Sequence, residues 1–181
     1  MRNFYIIIFF SLLLIIISKT INEDEKIIMN LYYSKTSGKF TYKKSNYKDE
    51  DAVASATYIN SYQSKGWDFL TISSYDKSDN KYDDAIKSYA MGYLEGILNK
   101  DRIFSIYRNL MYFSFYEDNL EIPDNLIQYL TKNLEYMKTN SIKYKDTDPY
   151  WEHVYYIYKQ MMGLFNGYNS VAENEKKIRI N

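Results

Sequence analysis

The sequence contains no cysteine, one histidine and two prolines among its 181 residues. Without cysteine the chain can form no disulfide and offers no thiol nucleophile or thiolate metal ligand. His153 stands alone, whereas a protein zinc site draws several ligands, mostly from histidine and cysteine. We therefore interpret His153, together with Glu152, as a side chain satisfied near a helix start. The residues predict no metal and no cofactor.

An excess of charge of one sign is also lacking, because 23 lysines and arginines balance 23 acidic residues. No long-range field of one sign would draw nucleic acid or an anionic membrane surface to the protein. We therefore expect no nucleic-acid partner. The 22 tyrosines are scattered among lysine, asparagine and isoleucine, and we give them no functional weight.

Common hydrolase signatures are missing as well. No Gly-x-Ser-x-Gly elbow occurs, so a serine nucleophile of that type is excluded. Asp83-Asp84 and Glu117-Asp118 resemble the paired carboxylates of glycoside chemistry, but neighbouring residues on a helix point apart. We interpret both pairs as helix caps and solvated charge. The residues by themselves therefore predict no catalytic residue.

The N-terminus has the pattern of a secretory signal peptide, which we place at residues 1–20. Arg2 supplies the positive end, residues 4–17 form the apolar run FYIIIFFSLLLIII, and cleavage is expected after Ser18 or Thr20. A membrane anchor is the competing interpretation, but crossing a bilayer takes about 20 apolar residues and this run is shorter. We expect a secreted or lysosome-like location without a stable membrane span.

Two β-prone runs, IIMNLYYS and KFTYKK, flank Lys35-Thr36-Ser37-Gly38 and predict a hairpin. Acidic residues from Asp49 onward and the threefold spacing of Val53, Ala56 and Ile59 predict a helix that ends at Gly66. The run from Trp67 to Ile72 is apolar on both faces and predicts a buried strand. Trp67 is expected to anchor the core.

The region from Tyr82 to Asn169 has helical periodicity. We predict two helices or one kinked helix after the strand, a helix beginning at Pro123, and a last helix from Asp148-Pro149 to Gly167. Gly92 and Gly96 have the small-xxx-small spacing of associating helices, and we expect them to pack closely onto the sheet. Residues 21–170 form the predicted domain, and residues 171–181 a charged, frayed tail.

Three blocks of this sequence together resemble the phospholipase B-like family, which includes the lamina-ancestor proteins. They are ASATYINSYQSKGWDFLTISSY (Ala54 to Tyr75), YDDAIKSYAMGYLEGILNKDRIFSIYRN (Tyr82 to Asn109) and DPYWEHVYYIYKQMMGLFNGYN (Asp148 to Asn169). The family has an Ala-rich segment leading to Gly-Trp, then a Gly-rich helix, and later a D-P-[FY]-W helix. The matching positions are Trp67, Ser88, Tyr89, Ala90, Gly92, Glu95, Gly96, Trp151 and Gly163.

The resemblance implies an α+β fold, the N-terminal part of an αββα N-terminal-nucleophile hydrolase, helix-rich with a few strands. In that family self-cleavage exposes a cysteine whose thiol attacks an acyl carbonyl. This chain ends at Asn181 without a cysteine, so the resemblance carries over no catalytic residue. The matched positions have structural explanations first, and Glu95 is the one expected to be buried and paired.

Two functions therefore stay open. The chain is either the N-terminal portion of a phospholipase B-like hydrolase, acting on a phospholipid or another acylated substrate with a separate catalytic portion, or a secreted non-catalytic helical protein. The second would bind a lipid or a protein partner.

Overall fold

The computed structural model describes residues 24–75, 82–116 and 122–178. These residues combine helices with one four-stranded sheet, as the predicted α+β class requires. The predicted signal peptide and the Glu117-Asp118 pair lie outside the described residues. In chain order the elements are β1 (Glu25–Ser34), β2 (Lys39–Ser45), β3 (Ala54–Asn60), α1 (Tyr62–Lys65), β4 (Phe69–Ser74), α2 (Asp84–Leu98), α3 (Lys100–Met111), α4 (Asp124–Tyr144) and α5 (Pro149–Val171).

The predicted hairpin is confirmed. β1 and β2 pair antiparallel, with Ser34 opposite Lys39 at the turn. Gly38 has a φ of 67°, and its N–H donates to the Ser34 carbonyl at 2.8 Å. A left-handed residue is what a short loop of this kind needs, and glycine adopts that conformation without a steric penalty.

The helix predicted from Asp49 to Gly66 is wrong over most of its length. Residues 54–60 instead form β3, which lies between β1 and β4 in the sheet order β2-β1-β3-β4. β3 has the sequence ASATYIN, in which Thr57, Tyr58 and Ile59 favour a strand, and its backbone pairs with β1 on one side and with β4 on the other. Only the end of the prediction is right: the four-residue helix α1 closes at Gly66, whose φ is 84°.

Trp67 is not the core anchor that the sequence predicted. Its side chain is 62% exposed, and Phe69 at the start of β4 is exposed as well. β4 lies at one edge of the described sheet instead of in its middle. The large apolar side chains of this segment therefore contribute little to the core, which holds Leu70 and Ile72 of β4 only at its margin.

The helices begin at or next to the residues where the sequence predicts them to begin. α2 and α3 are separate helices that meet at Asn99, and α4 begins one residue after Pro123. α5 begins at Pro149, where the Asp148 side chain accepts a hydrogen bond from the Tyr150 N–H at 2.9 Å, and it continues four residues beyond the predicted end. None of the helices in the three described stretches is both long and apolar enough to cross a membrane.

The closest packing in the described chain joins α2 to α5 through two glycine pairs of equal spacing. A Cβ atom added at Gly92 or Gly96 would lie within 3.0 Å of backbone atoms of α5. A Cβ atom added at Gly163 or Gly167 would likewise lie within 3.0 Å of the backbone of α2. The prediction of close packing is therefore right, but the surface against which Gly92 and Gly96 pack is a helix and not the sheet.

The opposite side of α2 covers one face of the sheet. Ala90, Leu94 and Ile97 of α2 form the core with Met29 and Leu31 of β1 and with the small residues of β3. Because alternate strand residues point to opposite faces, Asn30 and Ser55 lie on the other face, where they are buried and hydrogen-bonded to residues 47–49. The same face also carries Ile28, Thr57, Ile59 and Thr71, none of which is buried.

The tail is held in place as far as Ile178. The Tyr168 hydroxyl donates to the Lys176 carbonyl at 2.6 Å, and the Asn169 side chain exchanges two hydrogen bonds of 3.0 Å with the backbone of Ile178. The predicted fraying is therefore wrong for residues 172–178, because two polar side chains of α5 satisfy the backbone of the tail.

Replacing Gly92 by alanine should destabilise the chain by about 3 kcal/mol, because the methyl group has to displace the backbone of α5. Alanine otherwise favours helix, so any loss of stability reports the helix crossing. Urea unfolding followed by circular dichroism measures the free energy of unfolding. Gly38→Ala is the control: it has open space around the Cβ, and only its left-handed φ costs about 1 kcal/mol. Equal effects of the two substitutions would contradict the tight crossing.

The two tryptophans should behave differently in solution. In a Trp151→Phe variant the remaining Trp67 should be strongly quenched by acrylamide, whereas Trp151 in a Trp67→Phe variant should be quenched less. Trp67→Ala should change the free energy of unfolding by less than about 0.5 kcal/mol, as is usual at exposed positions. A shielded Trp67 or a large loss of stability would restore the interpretation of Trp67 as a core anchor.

Candidate functional site

The most connected polar side chain at the α1 end of the sheet is that of Asp68, which lies between α1 and β4. Its Oδ1 accepts hydrogen bonds from the backbone N–H groups of Ser61 and Tyr62, at 3.0 and 2.9 Å. These are N–H groups at the start of α1, which have no partner within a helix. The Asp68 carboxylate therefore holds the short helix α1 against the start of β4.

The second oxygen of Asp68 joins the sheet to α3. Its Oδ2 accepts from the Tyr58 hydroxyl at 2.9 Å and from Nε of Arg102 at 2.7 Å. The Arg102 guanidinium also lies 4.4 Å from the centre of the Tyr62 ring, within the range of a cation–π contact. A single carboxylate thus connects β3, α1 and the first turn of α3.

Burial and these partners set the protonation states of the site. Burial disfavours the Asp68 carboxylate, but the hydrogen bonds from Arg102 and Tyr58 and from the Tyr62 N–H outweigh it and lower the pKa of Asp68 below its usual value. Burial, and then the hydrogen bond to Asp68, raise the pKa of Tyr58 to about 12. At neutral pH Asp68 is charged and Tyr58 is neutral, so neither group titrates where a general acid or base operates.

No pattern in the sequence predicts this role of Asp68. Asp68 follows Gly66 and Trp67. The sequence predicts a core position for Trp67 and no special role for the acidic residue beside it. The available signal was a lone acidic residue two positions after the glycine that ends a short helix, with a basic residue at the start of a later helix.

A cleft of about 380 Å³ opens beside the Asp68 cluster. Apolar side chains of β1, α2 and α5 form part of its lining, and charged side chains of both signs form another part. Neither serine nor threonine is among the described residues that line it, so the cleft presents no hydroxyl nucleophile of that kind. The apolar lining residues are Ile27, Met29, Ile97, Leu98 and Val171, and the charged ones are Glu25, Lys44, Lys100, Asp101 and Arg102.

The charged residues singled out in the sequence have structural roles where they are described. Asp83 caps α2, accepting from the Ala85 N–H at 2.6 Å, and Asp84 forms an ion pair with Lys87 one turn later. The exposed His153 ring lies 2.9 Å from the Pro149 carbonyl, which confirms a histidine satisfied at a helix start. Across residues 24–75, 82–116 and 122–178, no group of three or more acidic or histidine side chains is placed to hold a metal ion.

Most of the positions that carry the family resemblance lie on α2, and Gly92, Gly96 and Gly163 among them lie where α2 crosses α5. The Tyr89 hydroxyl accepts a hydrogen bond from the Asn166 side chain at 2.9 Å, beside the glycine pairs. Trp151 at the start of α5 packs in edge-on contact with Tyr136 of α4. Glu95 differs from the expectation: it is half-buried and forms no ion pair or side-chain hydrogen bond with any residue that the structure describes.

Asp68→Asn should lower the free energy of unfolding by about 2 kcal/mol, the usual contribution of a buried hydrogen bond to a charged group. Because the folded-state pKa of Asp68 is lowered, its contribution is present above about pH 4 and is lost as the pH falls below that value. The difference between wild type and variant should therefore be constant near neutrality and shrink in acid. Urea midpoints measured from pH 7 down to pH 3 test this.

Asp146→Asn is the control for that experiment, because the Asp146 carboxylate is exposed beside Lys145 and should leave the midpoint unchanged. If Asp68→Asn were equally silent, Asp68 would not organise this end of the sheet.

Comparison with known proteins identifies the relatives of the chain. The family model of phospholipase B matches residues 54–181, from β3 onward. Phospholipase B-like protein B of Dictyostelium discoideum is 26% identical over 150 residues, which are 83% of this chain and 24% of that protein. Phospholipase B-like protein D of the same organism is 32% identical over 71% of this chain and 21% of that protein. Phospholipase B-like 1 of Bos taurus is 31% identical over 73% of this chain and 24% of that protein.

The chain thus spans about a quarter of the length of these relatives. The matched range contains β3, β4 and all of the helices, including the α2–α5 crossing and Asp68. The chain belongs to the phospholipase B-like family.

Proposed function

We propose that this chain is the N-terminal portion of a phospholipase B-like hydrolase of acyl esters or amides, and that it acts as a scaffold. The observation that carries the proposal is a family match over residues 54–181 in a chain that contains no cysteine. The resemblance places the nucleophile of the family on a cysteine, so that nucleophile has to come from a different stretch of polypeptide. We propose a secreted or lysosome-like location for the protein.

The chemistry implied by the resemblance needs two portions of polypeptide, a catalytic portion that carries the cysteine and the supporting portion described here. The cysteine thiol attacks the acyl carbonyl of a phospholipid or another acylated substrate, its own α-amino group takes the thiol proton, and the alcohol or amine leaves with that proton. Water then hydrolyses the thioester, which releases the fatty acid and restores the thiol. The present chain contributes none of these reacting groups, and its role is to support the portion that does.

The open face of the sheet supports such a division. A sheet needs both faces covered, and in the described residues the core helix α2 covers one face. On the other face Asn30 and Ser55 are buried against residues 47–49, and the part that stays open presents Ile28, Thr57, Ile59 and Thr71, of which none is buried. In an αββα hydrolase a second sheet lies in that position, and a catalytic portion would supply it.

A second candidate function is a binding protein without catalysis, and the cleft of about 380 Å³ is the observation that favours it. Its apolar lining suits an acyl chain, and Lys44 and Lys100 suit a phosphate. Such a protein would need neither a cysteine nor a catalytic partner.

The purified chain alone should release no fatty acid from phosphatidylcholine in mixed micelles. The same chain joined to its native continuation, or combined with a cysteine-bearing catalytic portion, should release it. Changing the nucleophilic cysteine of that portion to alanine should abolish the release, while the two portions still associate.

Fatty-acid release by the isolated chain would refute the scaffold role. An assembled but inactive complex would refute the hydrolase assignment. Binding of a fluorescent phosphatidylcholine by the isolated chain, lost in a Lys44→Glu variant and retained in a Lys132→Glu variant, would favour the binding protein instead.

A further inference from the structure

We propose that the outward apolar side of α3 and the turn after it is the surface that binds the catalytic portion of a phospholipase B-like hydrolase. This inference rests on the proposed function. The surface, here called the α3 stripe, consists of Ile106, Leu110 and Phe113.

The α3 stripe is exposed in a way that a water-facing helix surface seldom is. Ile106, Leu110 and Phe113 are 68, 60 and 69% exposed. They follow one another at intervals of four and three residues, which places them on one side of the helix. No residue of α3 is buried, although the helix carries a full apolar side. Contiguous exposed apolar surface of this kind usually marks an interaction site.

The helix is attached to the rest of the protein near its beginning. Arg102 in its first turn binds Asp68, and the Lys176 side chain lies 5.7 Å from the centre of the Phe104 ring. Leu110 and Phe113 lie two and three turns further on, away from these anchors. A helix of this length is marginal by itself in water, because most helix stability in proteins comes from packing of the apolar side. The stripe therefore calls for a partner surface.

The size of the relatives identifies that partner. This chain spans about a quarter of their length, so most of the polypeptide of a relative lies outside the matched region and can pack against its exposed surface. A lipid surface is a poorer candidate, because the chain has no net charge and two of the three basic residues of α3 are paired with carboxylates, Arg102 with Asp68 and Lys100 with Asp101. Tyr107 and Tyr112, which are also exposed, flank the stripe and extend the apolar area.

The test is association in trans. The tagged full chain is produced together with the part of Dictyostelium discoideum phospholipase B-like protein D that follows the region it matches, and co-purification is quantified. Leu110→Lys and Ile106→Lys should each reduce co-purification at least about tenfold, as expected for a central interface residue. Ile142→Lys on α4 is the matched control, since Ile142 is 51% exposed, undergoes the same change and has only polar residues three and four positions away in the sequence, and it should bind like the wild type.

A second measurement does not depend on a disruptive substitution. A photo-crosslinking benzoylphenylalanine at position 113 should form a covalent adduct with the co-produced portion, and the same group at position 142 should not. Circular dichroism of each variant should match the wild type, because the substituted side chains face water.

The outcomes separate the two proposals. Equal retention of the wild type, Leu110→Lys and Ile142→Lys would overturn the α3 stripe and leave the scaffold role standing. Failure of the wild type to retain the portion, or a self-dimer of the chain that Leu110→Lys disperses, would overturn the stripe as a site for this partner. Retention through the stripe without fatty-acid release would uphold the surface and contradict the hydrolase function.

Discussion

The described fold depends on the contact between two helix backbones that carry no side chains where they cross. Gly92 and Gly96 of α2 meet Gly163 and Gly167 of α5, and a methyl group at any of the four positions would collide with the facing backbone. α2 is the helix that fills the core against β1 and β3. Because α5 is fixed to α2, and α4 packs on α5, the positions of α2, α4 and α5 relative to one another follow from this one crossing. Gly92, Gly96 and Gly163 are among the positions that carry the family resemblance, and they lie at this crossing because only glycine permits it.

Asp68 has a corresponding role at the other end of the sheet. Its carboxylate accepts four hydrogen bonds from three elements and thereby fixes the direction in which α3 leaves the body. That direction turns the apolar side of α3 outward. A charged residue that looks like a candidate acid or base therefore serves to orient a helix.

Much of this fold could be predicted from local signals, and the errors have identifiable physical causes. The hairpin at Gly38 and the helix starts at Asp83 and Pro149 depend on backbone conformation and capping, which are properties of a few adjacent residues. The segment around Ala56 was assigned to a helix because small residues fit either period, and only pairing with β1 and β4 decides between them. Trp67 was placed in the core because it is large and apolar, yet β4 lies at an edge of the described sheet.

The site was harder to predict than the fold, because its contacts join residues far apart in the sequence. The equal spacing of Gly163 and Gly167 indicates the partner of Gly92 and Gly96. No pattern in the sequence indicates the ion pair between Asp68 and Arg102.

We propose that this chain serves as the scaffold of a hydrolase whose nucleophile lies in a different stretch of polypeptide. Native mass spectrometry of the protein isolated from its source under non-denaturing conditions tests this most directly. We expect the chain to be recovered together with cysteine-bearing phospholipase B-like sequence, in the same polypeptide or in a tightly associated one. Recovery of the chain as a monomer, with no such sequence attached, would contradict it.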